Sequence, residues 1–478
     1  MLEEAENEQY SHGFTVTYIS AIHMRWRFIE HLFPIEPQTI VPVNLTVKFT
    51  SILRDVTQKG FFHLLSANAI TQFMGFGCQL LVIKFLSPTE MGNIKTIQSF
   101  TSVGCVLAGF GITTAVLKLC SEERSAEEKA HILRRSTCYA AVPVTIVLLA
   151  LFGMAELNLL SPVRDINHWM VIYMFSIPLS VLSSLFMVYL QALKQIKLMA
   201  KMQIVVRGIG VVLLVSITYL YGFQGYIFST ILAGALAVLA ILYCVRNDFK
   251  SAGKYDNLFP QIMHYAKWSL AANLVNTTSI YIDIFLLNYL VEDRVGLGYY
   301  SIATIFFMGL TQITATVQSI TTPYFSEKSN NKEEFLRVLK KYQRIMIVGS
   351  FFVSASAIVI VPAFLRSVYG ESYSLSGDLF RILCIRYFFM SCYALLGVAI
   401  LGLGKMKYNF YTSIVTIAIT IPLGYACIIW WGLFGAAIAQ VVSCLLILLT
   451  MLAMARHVVR IHFPPKSINV YGTPEFGS

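Results

Sequence analysis

One carboxylate of this chain occupies a place where charge is costly. Asp283 stands in the middle of the apolar run Ile280-Tyr-Ile-Asp-Ile-Phe-Leu-Leu-Asn288, and no basic residue lies within one helical turn of it. A carboxylate in such surroundings must pair with a cation on another segment, bind an ion or take up a proton. Two interpretations stay open: a structural ion pair, and an ion site that serves the activity. Asp283 is our candidate ion-coupling residue.

Polar side chains recur at helical spacing in three apolar segments. Residues three, four or seven apart share one helix face, so each set forms a stripe. The stripes predict a polar cavity between helices, whereas for any single Asn or Gln a hydrogen bond to a neighbouring helix is the alternative. The candidate cavity residues are Asn68, Gln72, Asn273, Asn276 and Gln318.

Two arginines also lie inside apolar runs. Arg207 and Arg386 would give the cavity a cationic wall if they face inward, and a guanidinium can bind phosphate oxygens through two parallel hydrogen bonds. Such a cavity suits an anionic substrate, for example a pyrophosphate-linked lipid. Snorkelling toward the membrane surface is the alternative, and we expect it for Lys84, Lys95 and Lys118, which lie close to the ends of their runs.

The amino-acid composition indicates whether these apolar segments lie in water or in a membrane. Of the 478 residues, 56% are hydrophobic and 13% are charged, with a mean hydropathy of +0.67. A soluble domain carries about a quarter charged residues, so this chain is predicted to be an integral membrane protein. In a soluble chain the net charge of +11 would suggest a nucleic-acid partner, which we do not expect here. The nine cysteines form no CxxC pair and read as small buried hydrophobes, with no cofactor or metal.

Apolar runs long enough to cross a bilayer recur through the chain. About 20 residues are needed for one crossing. The runs predict an all-α polytopic protein of about twelve transmembrane helices, near residues 61–84, 93–119, 137–157, 168–192, 202–220, 226–245, 265–288, 297–324, 344–363, 379–400, 410–429 and 433–455.

Alternate loops between these runs are basic, which predicts how the protein is oriented. Because cytoplasmic loops concentrate Lys and Arg, both termini are expected in the cytoplasm. The other loops hold little beyond Arg164, Arg294 and Arg366. The basic residues are Arg124, Lys129, Arg134, Arg135, Lys194, Lys197, Lys201, Arg246, Lys250, Lys254, Lys328, Lys332, Arg337, Lys340, Lys341, Arg344, Lys405, Lys407, Arg456 and Arg460.

Short segments repeat at a nearly constant offset. Gly222-Phe-Gln-Gly225 corresponds to Gly432-Leu-Phe-Gly435 at an offset of 210, and a basic loop precedes each copy by the same distance. A duplicated six-span bundle explains this, and an even number of spans gives both copies one orientation. The predicted division is a cytoplasmic N-terminal extension (1–55), an N-lobe (56–264), a C-lobe (265–457) and a cytoplasmic tail (458–478).

Sequence patterns of several enzyme classes are missing. The chain has no GxxxxGK[ST], HExxH or GxSxG pattern, so we expect no ATP hydrolysis and no enzyme activity. A membrane glycosyl-polymerase or transferase is the rival from another class, but it would need a long outer loop, and the predicted outer loops are short.

A family resemblance appears in several segments taken together. The chain resembles the oligosaccharide flippase family (polysaccharide transporters of the O-antigen flippase type), which shares a superfamily with multidrug extruders and the lipid II flippase. The likeness runs from about residue 52 to 457. The segments that carry it are Gly60-Phe-Phe-His-Leu-Leu-Ser-Ala-Asn68, Leu86-Ser-Pro-Thr-Glu-Met-Gly92, Gly109-Phe-Gly-Ile-Thr-Thr-Ala-Val-Leu-Lys118, Tyr281-Ile-Asp-Ile-Phe-Leu-Leu-Asn288, Val295-Gly-Leu-Gly-Tyr-Tyr-Ser-Ile-Ala303 and Leu401-Gly-Leu-Gly-Lys405.

The resemblance implies two six-helix lobes in a V-shaped, MATE-like arrangement around a cationic cavity. It implies that the first, second, seventh and eighth spans line this cavity, and that Asp283 matches the acidic position common in the seventh. It further implies export of an undecaprenyl-pyrophosphate-linked oligosaccharide across a bacterial inner membrane, driven by an ion gradient, for capsule, O-antigen or exopolysaccharide assembly. Membrane lipids, a polysaccharide polymerase and glycosyltransferases are the expected partners. A cation-coupled multidrug extruder and a non-transporting scaffold are the alternatives.

Overall fold

A computed structural model describes residues 61–250 and 259–463 of the chain. The predicted N-terminal extension, residues 1–55, lies outside the described residues. So does the predicted tail after residue 463, whereas its first residues, 458–462, belong to the last helix.

The described residues form twelve helices and one short 3-10 turn, Glu371–Tyr373. The first half of the chain contains α1 (Phe61–Phe85), α2 (Pro88–Gly109), α3 (Ile112–Ser121), α4 (Ala126–Glu156), α5 (Arg164–Tyr173), α6 (Ser176–Ala192) and α7 (Ile196–Lys250). The second half contains α8 (Phe259–Leu290), α9 (Arg294–Glu327), α10 (Lys332–Tyr369), α11 (Ser374–Gly402) and α12 (Met406–His462).

Several helices begin where the sequence provides a cap. Ser87 accepts a hydrogen bond from the backbone of Glu90, and the Glu90 side chain accepts one from the backbone of Ser87, so that α2 starts at Pro88 with a complete capping box. Ser125 and Glu128 start α4 in the same way. These caps fix the first residues of α2 and α4, and so the residue at which each of these two helices begins.

The helices are long enough to supply twelve crossings within the described residues. Eight segments are long and apolar enough to span a membrane, and α2 with α3 forms a further span bent by 46°. Two of the eight segments, within α7 and α12, are 53 and 56 residues long, which is enough for two crossings each. The 25-residue helix α1 completes the set. The predicted count of about twelve is confirmed.

Both long helices are broken in the middle by a glycine. Gly222 has φ 57° and ψ −135°, and Gly432 has φ 55° and ψ −128°, a backbone region that only glycine adopts readily. The two limbs of α7 then lie side by side, because Cys244 Sγ is 3.8 Å from Met202 Sδ. Tyr408 and His457 likewise bring the two ends of α12 together, with 6.0 Å between their ring centroids.

The internal repeat is also present in backbone φ angles and backbone hydrogen bonds. Lys194 (φ 60°) and Gly404 (φ 71°) are 210 residues apart, and each stands in the left-handed region two residues before a long broken helix. The Lys194 backbone N–H donates to the Gln191 carbonyl, and the Gly404 N–H donates to the Leu401 carbonyl, again at an offset of 210. The predicted repeat is confirmed at these positions. The predicted lobe boundary at 264/265 falls inside α8, and the connection before α8, residues 251–258, lies outside the described residues.

The crossings define two ends of the bundle. We call the end with connections 122–125, 193–195, 328–331 and 403–405 the basic end. The opposite end holds connections 86–87, 157–163, 291–293 and 370–373. The halves meet where α2 packs on α8 and α9 and where α3 packs on α8.

Candidate functional site

The halves approach each other closely where two glycines face each other. A Cβ atom on Gly92 of α2 would stand 2.9 Å from the backbone nitrogen of Gly298 of α9, and a Cβ on Gly298 would meet the backbone carbonyl of Pro88. The backbones of α2 and α9 are therefore in contact near the opposite end. Lys95 follows Gly92 by three residues on the same face of α2, so this contact directs Lys95 at the second half.

Asp283 lies at this seam between the halves. Its side chain is 4% exposed, and its carboxylate accepts two hydrogen bonds. The Tyr300 hydroxyl of α9 donates to Oδ2 at 2.7 Å, and the backbone N–H of Ile284 donates to Oδ1 at 2.9 Å. The sequence placed a carboxylate in an apolar run, and the structure shows which groups hold it there.

Lys95 does not snorkel, and that prediction was wrong. Its side chain is 7% exposed, its ammonium lies 3.5 Å from Met308 Sδ and 5.6 Å from the centroid of the Tyr281 ring, and it attracts Asp283 electrostatically. Position near a span end is compatible with either direction, and the close packing of Gly92 on α9 turns this lysine inward. Lys84 and Lys118, by contrast, are exposed, and Lys118 pairs with Glu122 at 3.8 Å.

Arg386 joins the same region from α11. Its guanidinium carbon stands 4.4 Å from the centroid of the Phe307 ring, a cation–π contact that holds the charge over α9. Tyr300 interacts electrostatically with both Asp283 and Arg386. Arg386 is half-buried and therefore has one side toward solvent or lipid.

We call Lys95, Asp283, Tyr300 and Arg386 the buried charge cluster. Among the described residues, Asp283 is the only acidic side chain, and Lys95 the only lysine or arginine, in the fully buried class. They come from different halves of the chain. A buried charge is stable only when an opposite charge or several hydrogen bonds compensate it, so the cluster joins the halves electrostatically.

Arg207 lies apart from this cluster. It stands on the first limb of α7, is exposed, and places its guanidinium over Gly75 of α1, where a Cβ would collide with it. It also acts electrostatically on Cys78 and Tyr226 of the first half. The structure thus places the two candidate arginines in different halves, with Arg207 against α1 and Arg386 against α9.

The residues of the predicted polar stripes differ in exposure and in hydrogen bonding. Asn68 and Gln72 of α1 are exposed, as are Asn273 and Asn276 of α8, and the Asn273 amide donates to Ser269 Oγ on its own helix at 3.2 Å. Gln318 is half-buried and donates to the Ala394 carbonyl of α11 at 2.9 Å. Its contact is the hydrogen bond between helices that was the alternative to a cavity position.

A second polar group lies inside the first half, and sequence reasoning missed its two tyrosines. Gln98 of α2 donates to the Tyr226 hydroxyl at 2.6 Å; Tyr226 also interacts with Gln79 of α1, and Gln98 with Tyr173 of α5. We call Gln79, Gln98, Tyr173 and Tyr226 the uncharged network. Tyr226 is 2% exposed and Tyr300 is 0% exposed, so each half buries a tyrosine hydroxyl in a polar setting.

At the opposite end, hydrogen bonds close the seam. The Asn288 side chain donates to the Leu160 carbonyl at 3.0 Å, and its Oδ1 accepts from Ser161 Oγ at 3.2 Å and from Arg294 at 2.9 Å. The Tyr289 hydroxyl donates to the Leu159 carbonyl at 2.5 Å. The connection 157–163 of the first half is therefore fastened to the end of α8. No group of three or more His, Cys, Asp or Glu side chains suited to a metal ion occurs in the described part of the chain.

Twelve crossings, a repeated pair of broken helices and a buried charge cluster define a class, that of polytopic α-helical membrane proteins built from two similar halves. The chain belongs to the family described as polysaccharide biosynthesis protein, whose model matches residues 57–329. The resemblance seen in the sequence is thereby confirmed.

Two relatives match the sequence over different extents. A Shigella flexneri protein assigned the role of O-antigen transporter is 26% identical over 213 residues, which is 44% of this chain and 50% of the relative. The chain thus matches only half the length of that protein. An uncharacterized membrane protein of Methanocaldococcus jannaschii is 21% identical over 437 residues, covering 84% of this chain and 99% of the relative.

Solved structures share the fold. A multidrug resistance MATE family transporter of the MOP superfamily, in an inward-facing conformation, has a TM-score of 0.68 at 15% identity and covers 82% of this chain and 94% of its own. The lipid II flippase MurJ, in an inward closed conformation, has a TM-score of 0.69 at 15% identity and covers 82% of this chain and 86% of its own. The predicted MATE-like fold class is confirmed.

Proposed function

We propose that this protein moves a polyprenyl-pyrophosphate-linked oligosaccharide from the inner to the outer leaflet of a bacterial inner membrane. The family match over residues 57–329 carries this proposal, because it associates the chain with polysaccharide biosynthesis. The fold supports transport rather than synthesis, since its structural neighbours are a multidrug transporter and a lipid flippase. The surface glycan would be a capsule, an O-antigen or an exopolysaccharide.

The charge distribution supports the direction of movement. Lys and Arg concentrate in the loops of the basic end, so this end faces the cytoplasm and both termini lie there. A pyrophosphate-linked glycan made in the cytoplasm would enter from the basic end. Glycosyltransferases would supply it on that side, and a polymerase would use it on the other.

The arginines provide the chemistry for a pyrophosphate group. Arg207 is exposed on α7, and Arg386 is half-buried over Phe307, so a guanidinium of each half can turn toward a shared anionic ligand. Asn68 and Gln72 on α1, with Asn273 and Asn276 on α8, are exposed and would bind glycan hydroxyls. Gln318 keeps α9 on α11 through its bond to Ala394 and acts by holding that wall in place.

Asp283 is the group that an ion gradient would act on. It is the one acidic side chain buried within the described part of the molecule, and it sits where the first half meets the second. A proton or Na⁺ bound there would change the charge that faces Lys95. Ion-driven alternating access requires such a coupling between ion occupancy and the contact between halves.

The proposal is tested by complementation in a bacterium that lacks its own flippase for the same glycan. We expect Arg207→Ala with Arg386→Ala to lower surface glycan at least about tenfold, because each charged hydrogen bond contributes about 1.5–3 kcal/mol. Lipid-linked glycan should then accumulate in the inner leaflet.

The matched control replaces two other arginines, which lie on the same helices but outside the proposed cavity. Arg381 lies on α11 like Arg386, is exposed and pairs with Asp378 at 2.7 Å, and Arg246 lies on α7 over the Tyr243 ring. Arg381→Ala with Arg246→Ala should leave glycan display unchanged. Unchanged display in the Arg207/Arg386 variant contradicts the flippase proposal; a loss of drug resistance in that variant instead favours the multidrug extruder.

A further inference from the structure

Lys95 is held in the interior by groups of the second half. Its ammonium contacts Met308 of α9 and the ring face of Tyr281 of α8, and its attraction to Asp283 also crosses the seam. Lys95 itself belongs to α2 in the first half. The amine therefore ties the two halves through a single side chain.

The partners of this amine are unequal. An ammonium has three donors, and a thioether sulfur is a weak acceptor, so Met308 replaces little of the lost water. The Tyr281 ring attracts the charge, but a cation–π contact supplies about 0.5–2 kcal/mol. Asp283 is the one anion in this set, and burial of Lys95 without it would leave an uncompensated charge.

The Asp283 charge is compensated by groups other than Lys95, whereas the Lys95 charge has Asp283 as its anion. Its two oxygens keep the hydrogen bonds from Tyr300 and from the Ile284 backbone whichever cation faces them. A small cation can thus bind at a carboxylate that is already oriented and cancel its attraction for Lys95.

We propose that Lys95 is a built-in counter-cation of Asp283 with which a monovalent coupling ion, H⁺ or Na⁺, competes. This inference rests on the proposed function, in which Asp283 is the coupling site. When the ion occupies Asp283, Lys95 loses its anion, and the tie between α2 and the second half weakens. Lys95 is therefore a positioning residue that converts ion binding into release of the seam.

Charged and ionisable groups surround Asp283 on several helices. Lys95 faces it from α2, Tyr300 from α9, and Arg386 acts on Tyr300 from α11, while Tyr281 lies on the same helix. α12 also packs along α8 and places Gly424 against Leu286. The Lys95 variants change none of these other groups, so differences among the Lys95 variants report on the Lys95 charge alone.

The experiment measures ion binding to the purified full chain in detergent through the midpoint of thermal unfolding. A ligand that binds only the folded state raises this midpoint once its concentration exceeds the dissociation constant, and the rise continues with the logarithm of the concentration. NaCl is varied at constant ionic strength with choline chloride, and pH is varied separately. The variants are Lys95→Met, Lys95→Gln, Lys95→Arg and Asp283→Asn, and Lys84→Met serves as an exposed lysine control on α1.

We expect Lys95→Met and Lys95→Gln to show the same rise of the unfolding midpoint at an ion concentration about tenfold lower than the wild-type chain. For protons this is a response about one pH unit higher, because the ion no longer competes with a buried unit charge that acts on the same carboxylate. Lys95→Arg and Lys84→Met should match the wild type, and Asp283→Asn should remove the response.

The outcomes separate this inference from the function on which it rests. If Asp283→Asn removes the response but neutral Lys95 variants respond at the wild-type ion concentration, Asp283 is the ion site and the competition is wrong. If Lys95→Arg behaves like Lys95→Met, side-chain shape and not charge is responsible, and the inference also fails. If Asp283→Asn leaves the response unchanged, the proposed coupling role of Asp283 itself is wrong.

Discussion

The two halves of the molecule share a backbone but bury different chemistry. Gly222 and Gly432 break α7 and α12 with dihedral angles that agree within 7°, 210 residues apart. In the first half, however, Tyr226 accepts a hydrogen bond from the neutral amide of Gln98. In the second half, Tyr300 donates to the carboxylate of Asp283 beside Arg386. The backbone frame is shared, and among the described residues only the second half buries an acid.

This difference indicates a division of roles. An uncharged network can hold helices together without responding to ions, since no member changes its charge near neutral pH. A buried carboxylate responds to any cation that reaches it. Lys95 is the exception within the first half, and its contacts lie in the second. The first half thus contributes a charge to the half that contains Asp283, while its own uncharged network has no ionised member.

The largest effect is expected from removing the acid. Asp283→Leu leaves Lys95 buried without an anion and should lower the free energy of unfolding by about 3–5 kcal/mol. Gln98→Leu removes only a neutral hydrogen bond to Tyr226 and should cost about 1 kcal/mol. Thermal unfolding of the purified variants compares the two.

A double variant shows whether the unpaired amine causes that loss. Asp283→Leu with Lys95→Met removes both charges and should recover at least half of the stability lost in Asp283→Leu alone. If the losses in the two single variants simply add, Lys95 and Asp283 do not interact, and the electrostatic account of the seam is wrong.

Much of the frame could be predicted from sequence because it depends on local chemistry. The lengths of the apolar runs give the crossings, and the glycines at 222 and 432 give the breaks because few other residues adopt their backbone angles. Asp283 was identified because a carboxylate in an apolar run requires a partner wherever the helix turns. These inferences need no knowledge of which helices touch.

The direction of individual side chains could not be predicted in this way. Lys95 could extend to the membrane surface or turn inward, and the choice depends on Gly298, a residue 203 positions away in sequence. Gln318 was assigned to a cavity wall, but its amide bonds to Ala394 of α11. The uncharged network escaped notice since each of its members is common in membrane helices on its own.

The next largest effect is expected from replacing the glycines that break α7 and α12, and it tests whether the two halves have equivalent backbones at these positions. Gly222→Ala and Gly432→Ala place a Cβ at positive φ, which should cost about 1–3 kcal/mol in each case. No heavy atom lies within 4 Å of the added carbon at either site, so the cost is conformational alone. Gly349→Ala in α10 has equal space and no positive φ, and it should be neutral or stabilising. Thermal unfolding checks all three, and costs that differ by more than about 1 kcal/mol between Gly222→Ala and Gly432→Ala contradict the equivalence.

The smallest effect concerns the two buried tyrosines. Tyr300→Phe removes a hydrogen bond donated to a carboxylate, about 1.5–3 kcal/mol, whereas Tyr226→Phe removes one accepted from a neutral amide, about 0.5–1.5 kcal/mol. The expected difference is therefore about 1 kcal/mol, measured as the difference in unfolding free energy. Repeating Tyr300→Phe in the Asp283→Asn background should reduce its cost to that of Tyr226→Phe, because the partner of the tyrosine hydroxyl is then neutral in both halves. If Tyr300→Phe keeps its larger cost in that background, the charge of Asp283 does not set the contrast, and packing around the ring must.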